Sequence, residues 1–330
     1  MDQNTQIKIL LSQPKEIVIT SHRNPDGDAL GSSLALAAYL RKHLHNVSIV
    51  LPSEYPYNFG WMKGVDDIII YDDDPSIAHR KIKQANVIFA LDYNALDRVD
   101  KMGQHITLSD ADKIMIDHHI DPEPFVDYMI SDTRASSTCE LVYDFIVDQG
   151  GHADIDEEIA EYLYAGILTD TGRFRHNTSE KLFRIVADLK HIGLDDLRVY
   201  DAINNSQYEK HIRLLGHCLN NRFEFIPEYH AGLIYLTKED YKKFNIKRGD
   251  TEGIVNFPMI MKDVRLSAFI TEQPTIVKIS LRSKGDLSVQ ELARKYFNGG
   301  GHKNASGGYS HESLEKTIKK FKEALPLTLK

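Results

Sequence analysis

The sequence predicts an α/β protein: a mainly parallel sheet with helices on both faces, a helical connector, and a second, smaller α/β domain. Three observations support this fold class. Short apolar runs alternate with helical patterns through the first half of the chain, as in a parallel sheet. After about residue 222 this rhythm changes. The 330 residues suit two domains of roughly 150 residues each.

The elements of the first domain follow from the spacing of its apolar residues. Residues 16–21 (EIVITS) form a short apolar run typical of a buried strand, and residues 29–42 carry apolar side chains at helical spacing. The other predicted elements are strands at 47–51, 86–92 and 113–117 and helices at 137–149 and 155–168. We expect this domain to span residues 1–190.

The rest of the chain predicts a connector at 191–222 and a second domain at 223–330. The connector contains helical patterns at 195–200 and 208–221. The elements predicted beyond it are strands at 222–228, 231–237, 266–271 and 275–282 and helices at 238–244, 251–261, 288–296 and 312–324.

Charge divides unevenly between the two parts. The net charge is −8, but residues 1–190 carry 18 basic and 31 acidic side chains, whereas residues 191–330 carry 22 and 17. An acidic protein without a basic arm is poorly suited to binding long duplex DNA by its phosphates. We therefore expect small or short ligands.

No feature of the sequence predicts a membrane location or secretion. The longest apolar run, Leu34–Leu40, is far shorter than a membrane span, and the first residues lack the pattern of a secretory signal. Cys139 and Cys218 lie far apart and outside any CxxC motif, which suits a reducing compartment. We expect a cytoplasmic protein without a membrane partner, and a homodimer if it oligomerises.

Acidic and histidine side chains follow several predicted elements directly. They are His22, Asp26 and Asp28 after the first strand, Asp92 after the strand at 86–92, Asp117, His118 and His119 after the strand at 113–117, and Asp170 after a helix. Ligands of open parallel sheets bind beyond the carboxyl ends of the strands. Taken singly, such residues are most often helix caps, turn residues or surface histidines.

Together these residues predict a metal site. Buried carboxylates repel one another unless cations neutralise them, and the four carboxylates Asp26, Asp28, Asp92 and Asp170 match the charge of two divalent ions. Mixed oxygen and imidazole ligands favour Mn²⁺, with Mg²⁺, Co²⁺ or Fe²⁺ as alternatives. Paired metals commonly serve in-line attack at phosphorus.

The motifs HRNPDGDA (22–29), DHH (117–119) and LTDTG (around Asp170), together with Asp92, resemble the DHH phosphoesterase superfamily. FNGGGHKNASGG (297–308) resembles its DHH-associated C-terminal domain. The resemblance covers nearly the whole chain, and the branch it favours is the compact nano-RNase / pAp phosphatases. It implies hydrolysis of short oligoribonucleotides or 3′-phosphoadenosine 5′-phosphate (pAp) by water activated between two metals.

The resemblance also implies a role for each residue of the metal motif. His22 and Asp26 would bind one metal, Asp28, His118 and Asp170 the other, and Asp92 both. Asp117 would orient His118 or hold the loop. His119 would contact the phosphate or protonate the leaving oxygen, unless it only packs.

Substrate-binding candidates come from both domains. Consecutive glycines can form an anion-binding nest, or else a flexible turn, and the resemblance favours binding by Gly300, Gly301, His302 and Asn304. Arg282 could hold a second phosphate through its guanidinium. Arg98, Ser136 and Ser137 are candidates from the first domain, although Ser137 with Glu140 also fits a helix capping box.

Other activities remain open within this prediction. They are hydrolysis of cyclic dinucleotides or of linear ones such as pApA and pGpG, a pyrophosphatase or exopolyphosphatase activity, and a non-catalytic nucleotide sensor. The sensor is disfavoured because every predicted metal ligand is present.

Overall fold

The computed structural model describes residues 2–247 and 249–328. Two compact units, Met1–Ser206 and Gln207–Lys330, make up the chain, so the division lies within residues 191–222. No helix in the described part of the chain is long and apolar enough to cross a membrane.

The first unit is a parallel α/β domain. Its strands are β1 (Glu16–Thr20), β2 (Asn46–Leu51), β3 (Ile69–Ile70), β4 (Val87–Leu91), β5 (Asp112–Asp117) and β6 (Tyr128–Ser131). Its helices are α1 (Gln3–Leu10), α2 (Gly27–Lys42), α3 (Pro75–Gln84), α4 (Met102–Thr107), α5 (Thr138–Asp148), α6 (Glu157–Asp170), α7 (Glu180–Ile192) and α8 (Asp196–Asn204).

All six strands run parallel, in the order β3-β2-β1-β4-β5-β6. Alternate side chains of each central strand enter two cores: Ile17 and Ile19 pack beneath α2, α5 and α6, whereas Val18 packs on the face covered by α3 and α4. A strand buried on both faces reads as a continuous apolar run, which is why the sequence revealed it.

The strand order places a topological switch point between β1 and β4. From β1 the chain proceeds to β2 and β3 on one side and then crosses to β4 and β5 on the other. The connections leaving β1 and β4 therefore diverge and open a crevice at the carboxyl ends of these strands, the usual ligand position in such sheets.

The second unit has a mixed sheet in the order β11-β12-β10-β9-β8-β7, in which β8 and β9 are parallel and the other pairs antiparallel. Its strands are β7 (Phe223–Ile226), β8 (Ala231–Leu236), β9 (Leu266–Glu272), β10 (Val277–Ser283), β11 (Gly300–His302) and β12 (Ala305–Ser310). Its helices are α9 (Glu209–Asn221), α10 (Lys238–Lys243), α11 (Val289–Tyr296) and α12 (Leu314–Thr328). The predicted fold class is confirmed.

The predicted helix at 251–261 is wrong. This stretch forms two single 3₁₀ turns, Ile254–Asn256 and Pro258–Ile260. Gly253 precedes the first turn in a left-handed conformation (φ 78°), and Pro258 has no N–H to donate within a helix.

Several elements were not predicted, namely α1, β3, α3, α4, β6 and α7 in the first unit and β11 and β12 in the second. β3 has two residues and β6 is a half-buried edge strand, so neither shows a clear period. The helix α7 does carry a signal, because Leu182, Ile185 and Leu189 are buried at helical spacing.

Candidate metal centre

The polar segments that end β1, β4 and β5 meet at one edge of the parallel sheet. His22 follows β1, Asp92 follows β4 at once, and Asp117 ends β5 just before His118. β1 pairs with β4 and β4 pairs with β5. Because neighbouring parallel strands end at the same edge, these side chains lie close together.

The start of α2 supplies two more carboxylates. Asp26 is the N-cap of this helix, and its Oδ1 accepts from the N–H of Asp28 at 3.0 Å and of Ala29 at 3.1 Å. Asp28 lies in the first turn and is 1% exposed. The loop before them is anchored where the N–H of Asn24 donates to Oγ of Ser53 at 3.0 Å.

Close packing of α2 on α6 brings in Asp170, the last residue of α6. A Cβ on Gly166 would lie 2.7 Å from Oδ1 of Asp28 and closer still to Sγ of Cys139. Glycine at this position therefore lets α6 approach the carboxylate of Asp28. Because of this close approach, Asp170 at the end of a helix lies beside the side chains that follow the strands.

Asp92 stands between two groups of side chains. Its Oδ2 lies 3.3 Å from Nε2 of His22, which also lies 3.9 Å from Oδ1 of Asp26. Its Oδ1 lies 3.6 Å from Nε2 of His118. Asp92 has a left-handed backbone (φ 62°), an uncommon conformation outside glycine.

His118 gathers the second group of carboxylates. Its Nε2 lies 3.4 Å from Oδ2 of Asp170 and 3.9 Å from Oδ2 of Asp28. The donor atoms of His22, Asp26 and Asp92 lie within 4.8 Å of one another, as do those of Asp28, Asp92 and His118. Both groups offer carboxylate oxygens and imidazole nitrogens, which suit a divalent transition metal.

Electrostatics show that the cluster needs positive charge. Burial by itself would lower the pKa of both imidazoles, but hydrogen bonds and charges from the carboxylates outweigh it. Asp26 and Asp92 raise the pKa of His22 to about 10, and Asp92 with Asp170 and Asp28 raises the pKa of His118 to about 10. The carboxylates thus favour a cation at each histidine, either a proton or a metal ion.

Burial and mutual repulsion also shift the pKa values of the carboxylates. Burial, reinforced by the charge of Asp92, raises the pKa of Asp28 to about 7. Burial, reinforced by the charge of Asp28, raises the pKa of Asp170 well above its ordinary value. Burial would also raise the pKa of Asp92, but its histidine neighbours hold it well below the ordinary value. The donor set therefore fits divalent cations.

Asp117 holds His119. Its Oδ1 lies 2.8 Å from Nδ1 of His119, and its Oδ2 accepts from the N–H of the same residue at 3.2 Å. Of the two predicted roles of Asp117, these contacts favour holding the loop. Nδ1 of His119 also lies 3.7 Å from Oδ1 of Asp92, so His119 lies at the cluster.

The N-terminus of α5 contacts two of the carboxylates, a feature that the sequence analysis missed. The N–H groups of Thr138 and Cys139 donate to the two oxygens of Asp28 at 2.6 and 2.9 Å. The hydroxyl of Thr138 donates to Oδ1 of Asp92 at 3.2 Å. The capping signal at Ser137 located this helix start but gave no sign of what the start would contact.

Half of the predicted capping box is present. Oγ of Ser137 accepts from the N–H of Glu140 at 3.1 Å, but the Glu140 carboxylate accepts from the N–H of Ser136 at 2.8 Å. Buried Oγ of Ser136 has no hydrogen-bond partner among the residues that the structure describes. Arg98 lies beside the metal-site loop, since its carbonyl accepts from the N–H of Arg23 at 2.8 Å.

In the second unit, the glycine run is an edge strand rather than a turn or a nest. β11 pairs antiparallel with β12, with Gly300 opposite Gly307 and Gly301 opposite Ser306. Gly301 has a φ of 131°, which disfavours any side chain there. The run forms a strand because β12 offers it unpaired backbone N–H and C=O groups at the edge of the sheet.

Arg282 and His302 share one face of the second sheet. Ala305 lies opposite His302 on one side and Arg282 on the other, and residues in such a row point the same way. Burial lowers the pKa of Arg282, opposed by the charge of Glu252. Asn304 braces the hairpin, because its amide donates to Oγ of Ser283 at 2.9 Å.

The fold, and the carboxylate of Asp92 between two groups of polar side chains, define an α/β protein with a candidate divalent-cation site at the switch point of a parallel sheet. Residues 16–167 match the DHH family N-terminal domain and residues 231–326 match the DHHA1 domain. The chain belongs to the DHH family.

Relatives extend over almost the whole chain. It is 29% identical over 316 residues to the probable bifunctional oligoribonuclease and PAP phosphatase NrnA of Streptococcus mutans, covering 94% of this chain and 96% of that one. It is 26% identical over 318 residues to the corresponding Bacillus subtilis protein, covering 95% and 96%. The predicted class, a phosphoester hydrolase, is confirmed.

A solved structure has the same fold throughout. The exopolyphosphatase-related protein from Bacteroides fragilis is 40% identical, with a TM-score of 0.95 and coverage of 98% of this chain and 96% of that one. The likeness includes both units.

Proposed function

We propose that this chain uses two divalent cations, with Mn²⁺ preferred, to hydrolyse short oligoribonucleotides and pAp. The observation that carries the proposal is the position of Asp92, whose two oxygens face different groups of ligands. Two relatives bear the name bifunctional oligoribonuclease and PAP phosphatase, which supports these substrates.

Each cation has a proposed set of ligands. His22, Asp26 and Asp92 would hold one ion, and Asp92 with Asp28, His118 and Asp170 would hold the other. When bound, the two ions supply positive charge that activates water and stabilises the charge developing on the phosphoryl group.

His119 is the proposed general acid. With Nδ1 engaged by Asp117, we assign Nε2 to protonate the departing ribose oxygen. The carboxylate of Asp117 accepts from Nδ1–H and fixes the plane of the ring, so the proton given to the departing oxygen would be a second one, carried on Nε2. The side chain of His119 is 14% exposed, against 4% for His118, so it is the more accessible of the two.

We assign the remaining predicted residues to substrate binding. Arg282 and His302 would hold a phosphate that does not react, because two donors on one sheet face can contact the same anion. Gly300 and Gly301 would allow its close approach, while Asn304 maintains the hairpin. Arg98, Ser136 and Ser137 would contact substrate from the first unit.

A panel of substrates tests the proposal. The protein is incubated with Mn²⁺ and pAp, pApA, a three-nucleotide RNA, cyclic di-AMP, pyrophosphate or polyphosphate, then again after chelation and readdition of Mn²⁺ or Mg²⁺. We expect Mn²⁺-dependent hydrolysis of pAp and the short RNA, abolished by EDTA and restored best by Mn²⁺.

Other outcomes separate the alternatives. Preference for pApA or cyclic di-AMP would replace the proposed substrate with a dinucleotide. Hydrolysis of pyrophosphate or polyphosphate alone would exclude a nucleotide substrate. Nucleotide binding without hydrolysis under any metal condition would identify a sensor and refute the proposed activity.

A further inference from the structure

Thr138 contacts carboxylates of both ligand groups. It is completely buried at the first position of α5. Its hydroxyl donates to Oδ1 of Asp92 at 3.2 Å, and its N–H donates to Oδ2 of Asp28 at 2.6 Å. One residue thus contacts the carboxylate shared by the two groups and a carboxylate of the second group.

We propose that Thr138 is a positioning residue whose hydroxyl fixes the carboxylate of Asp92 between the two cations. The proposal rests on the proposed function, because it assumes that Asp92 is a shared ligand. It assigns the hydroxyl no contact with substrate. Its effect is to determine which oxygen of Asp92 faces each group.

Asp92 requires such a contact because each of its two oxygens faces a different group of ligands. Oδ2 lies 3.3 Å from Nε2 of His22, whereas Oδ1 lies 3.6 Å from Nε2 of His118. Rotation about the Cβ–Cγ bond of Asp92 would move both oxygens away from these positions. A hydroxyl donor on Oδ1 opposes that rotation, and a donor to a charged acceptor makes a strong hydrogen bond.

The helix start that carries Thr138 is itself held firmly. The N–H of Cys139 donates to Asp28 at 2.9 Å, and the N–H of Glu140 donates to Oγ of Ser137 at 3.1 Å. The carboxylate of Glu140 accepts from the N–H of Ser136 at 2.8 Å. These bonds set the backbone position of Thr138, and its branched Cβ restricts χ1.

The contacts of Thr138 can be separated by substitution. Thr138→Val removes the hydroxyl but keeps the side-chain shape and the backbone N–H that holds Asp28. Thr138→Ser keeps the hydroxyl. Thr317→Val is the matched control, because Thr317 in α12 is also fully buried and its hydroxyl donates to the carbonyl of Ser313, just before that helix, at 2.9 Å.

Calorimetric titration of each metal-free protein with Mn²⁺ provides a readout independent of activity. We expect Thr138→Val to weaken Mn²⁺ binding by about 10- to 100-fold, the usual effect of removing a group that orients a ligand. Thr138→Ser should stay within about threefold of the wild type, and Thr317→Val should be unchanged. The Mn²⁺ concentration for half-maximal pAp hydrolysis should rise by the same factor in Thr138→Val.

Wild-type affinity in Thr138→Val would overturn the proposal and leave the proposed function intact. Equal loss in Thr138→Ser would also overturn it, since the methyl group and not the hydroxyl would then matter. If the valine variant does not fold by circular dichroism, Thr138→Ala replaces it under the same criteria. A wild-type chain that binds Mn²⁺ but hydrolyses no nucleotide would instead refute the proposed function.

Discussion

Nε2 of His22 lies 3.3 Å from Oδ2 of Asp92, although the two residues are 70 positions apart in the chain. They meet because β1 and β4 are parallel neighbours, and because Asp92 comes directly after β4 and His22 two residues after the end of β1. The contact raises the pKa of His22 against the effect of burial. It thereby creates a position at which a cation is favoured.

Replacing Asp92 by alanine should abolish turnover. The substitution removes a ligand from both proposed cations, and we expect the rate of pAp hydrolysis to fall about a thousandfold, which is roughly 4 kcal/mol. Initial rates at saturating Mn²⁺ measure the effect. Asp112→Asn, at the opposite end of β5, is the control, and near-normal rates in Asp92→Ala would refute the shared-ligand assignment.

Removing Arg282 should weaken substrate binding more than it slows the reaction. If the guanidinium holds a phosphate that does not react, Arg282→Ala should raise KM about tenfold and leave kcat nearly unchanged. Steady-state kinetics with pAp separate the two constants. Lys278→Ala removes a positive charge from the same strand and should change neither; a fall in kcat alone in Arg282→Ala would place this arginine at the reacting phosphate.

Glycine at position 166 should be required for a stable first unit. A Cβ there would lie 2.7 Å from Oδ1 of Asp28, so Gly166→Ala should lower the free energy of unfolding by about 1–3 kcal/mol and weaken Mn²⁺ binding. Urea denaturation and calorimetry measure the two effects.

The matched control is Gly216→Ala in α9, where no atom of the described residues outside the backbone of α9 itself lies within 4 Å of the added Cβ. That variant should gain about 0.5–1 kcal/mol, because alanine favours a helix over glycine. A gain of the same size in Gly166→Ala would contradict the close approach of α6 to Asp28.

The stability of the second unit should depend on the charge of Asp240. Burial alone would raise the pKa of this carboxyl, but hydrogen bonds from Arg222, Thr237 and His217 lower it from 3.8 to about 2. Because the folded pKa lies below the unfolded one, the stabilisation is complete above about pH 4 and is lost as the pH falls through 2. It corresponds to about 2 kcal/mol.

Asp240→Asn should therefore be less stable than the wild type by about 2 kcal/mol at pH 7. The difference should shrink as urea denaturation is repeated at pH 4, 3 and 2. Asp263→Asn, at an exposed position, should show no such trend. A difference that is independent of pH would rule out the charge of Asp240 as the cause.

The sequence by itself predicted the fold class, which the structure confirms, and it also predicted a two-part organisation and a metal motif. These were readable because buried parallel strands are continuous apolar runs and because strand ends collect ligands. Four separate segments carry the carboxylates and imidazoles of the cluster, and periodicity alone placed three of them at one sheet edge.

Tertiary structure alone decided how those side chains are arranged. The orientation of Asp92 depends on its left-handed backbone and on a hydroxyl from α5, 46 positions away in the chain. Likewise, Asp170 reaches His118 because α6 packs closely on α2, where Gly27, Gly31 and Gly166 leave no room for a Cβ. Such contacts between distant segments leave no local pattern, since they depend on the shapes of two packed surfaces and not on the period of either one.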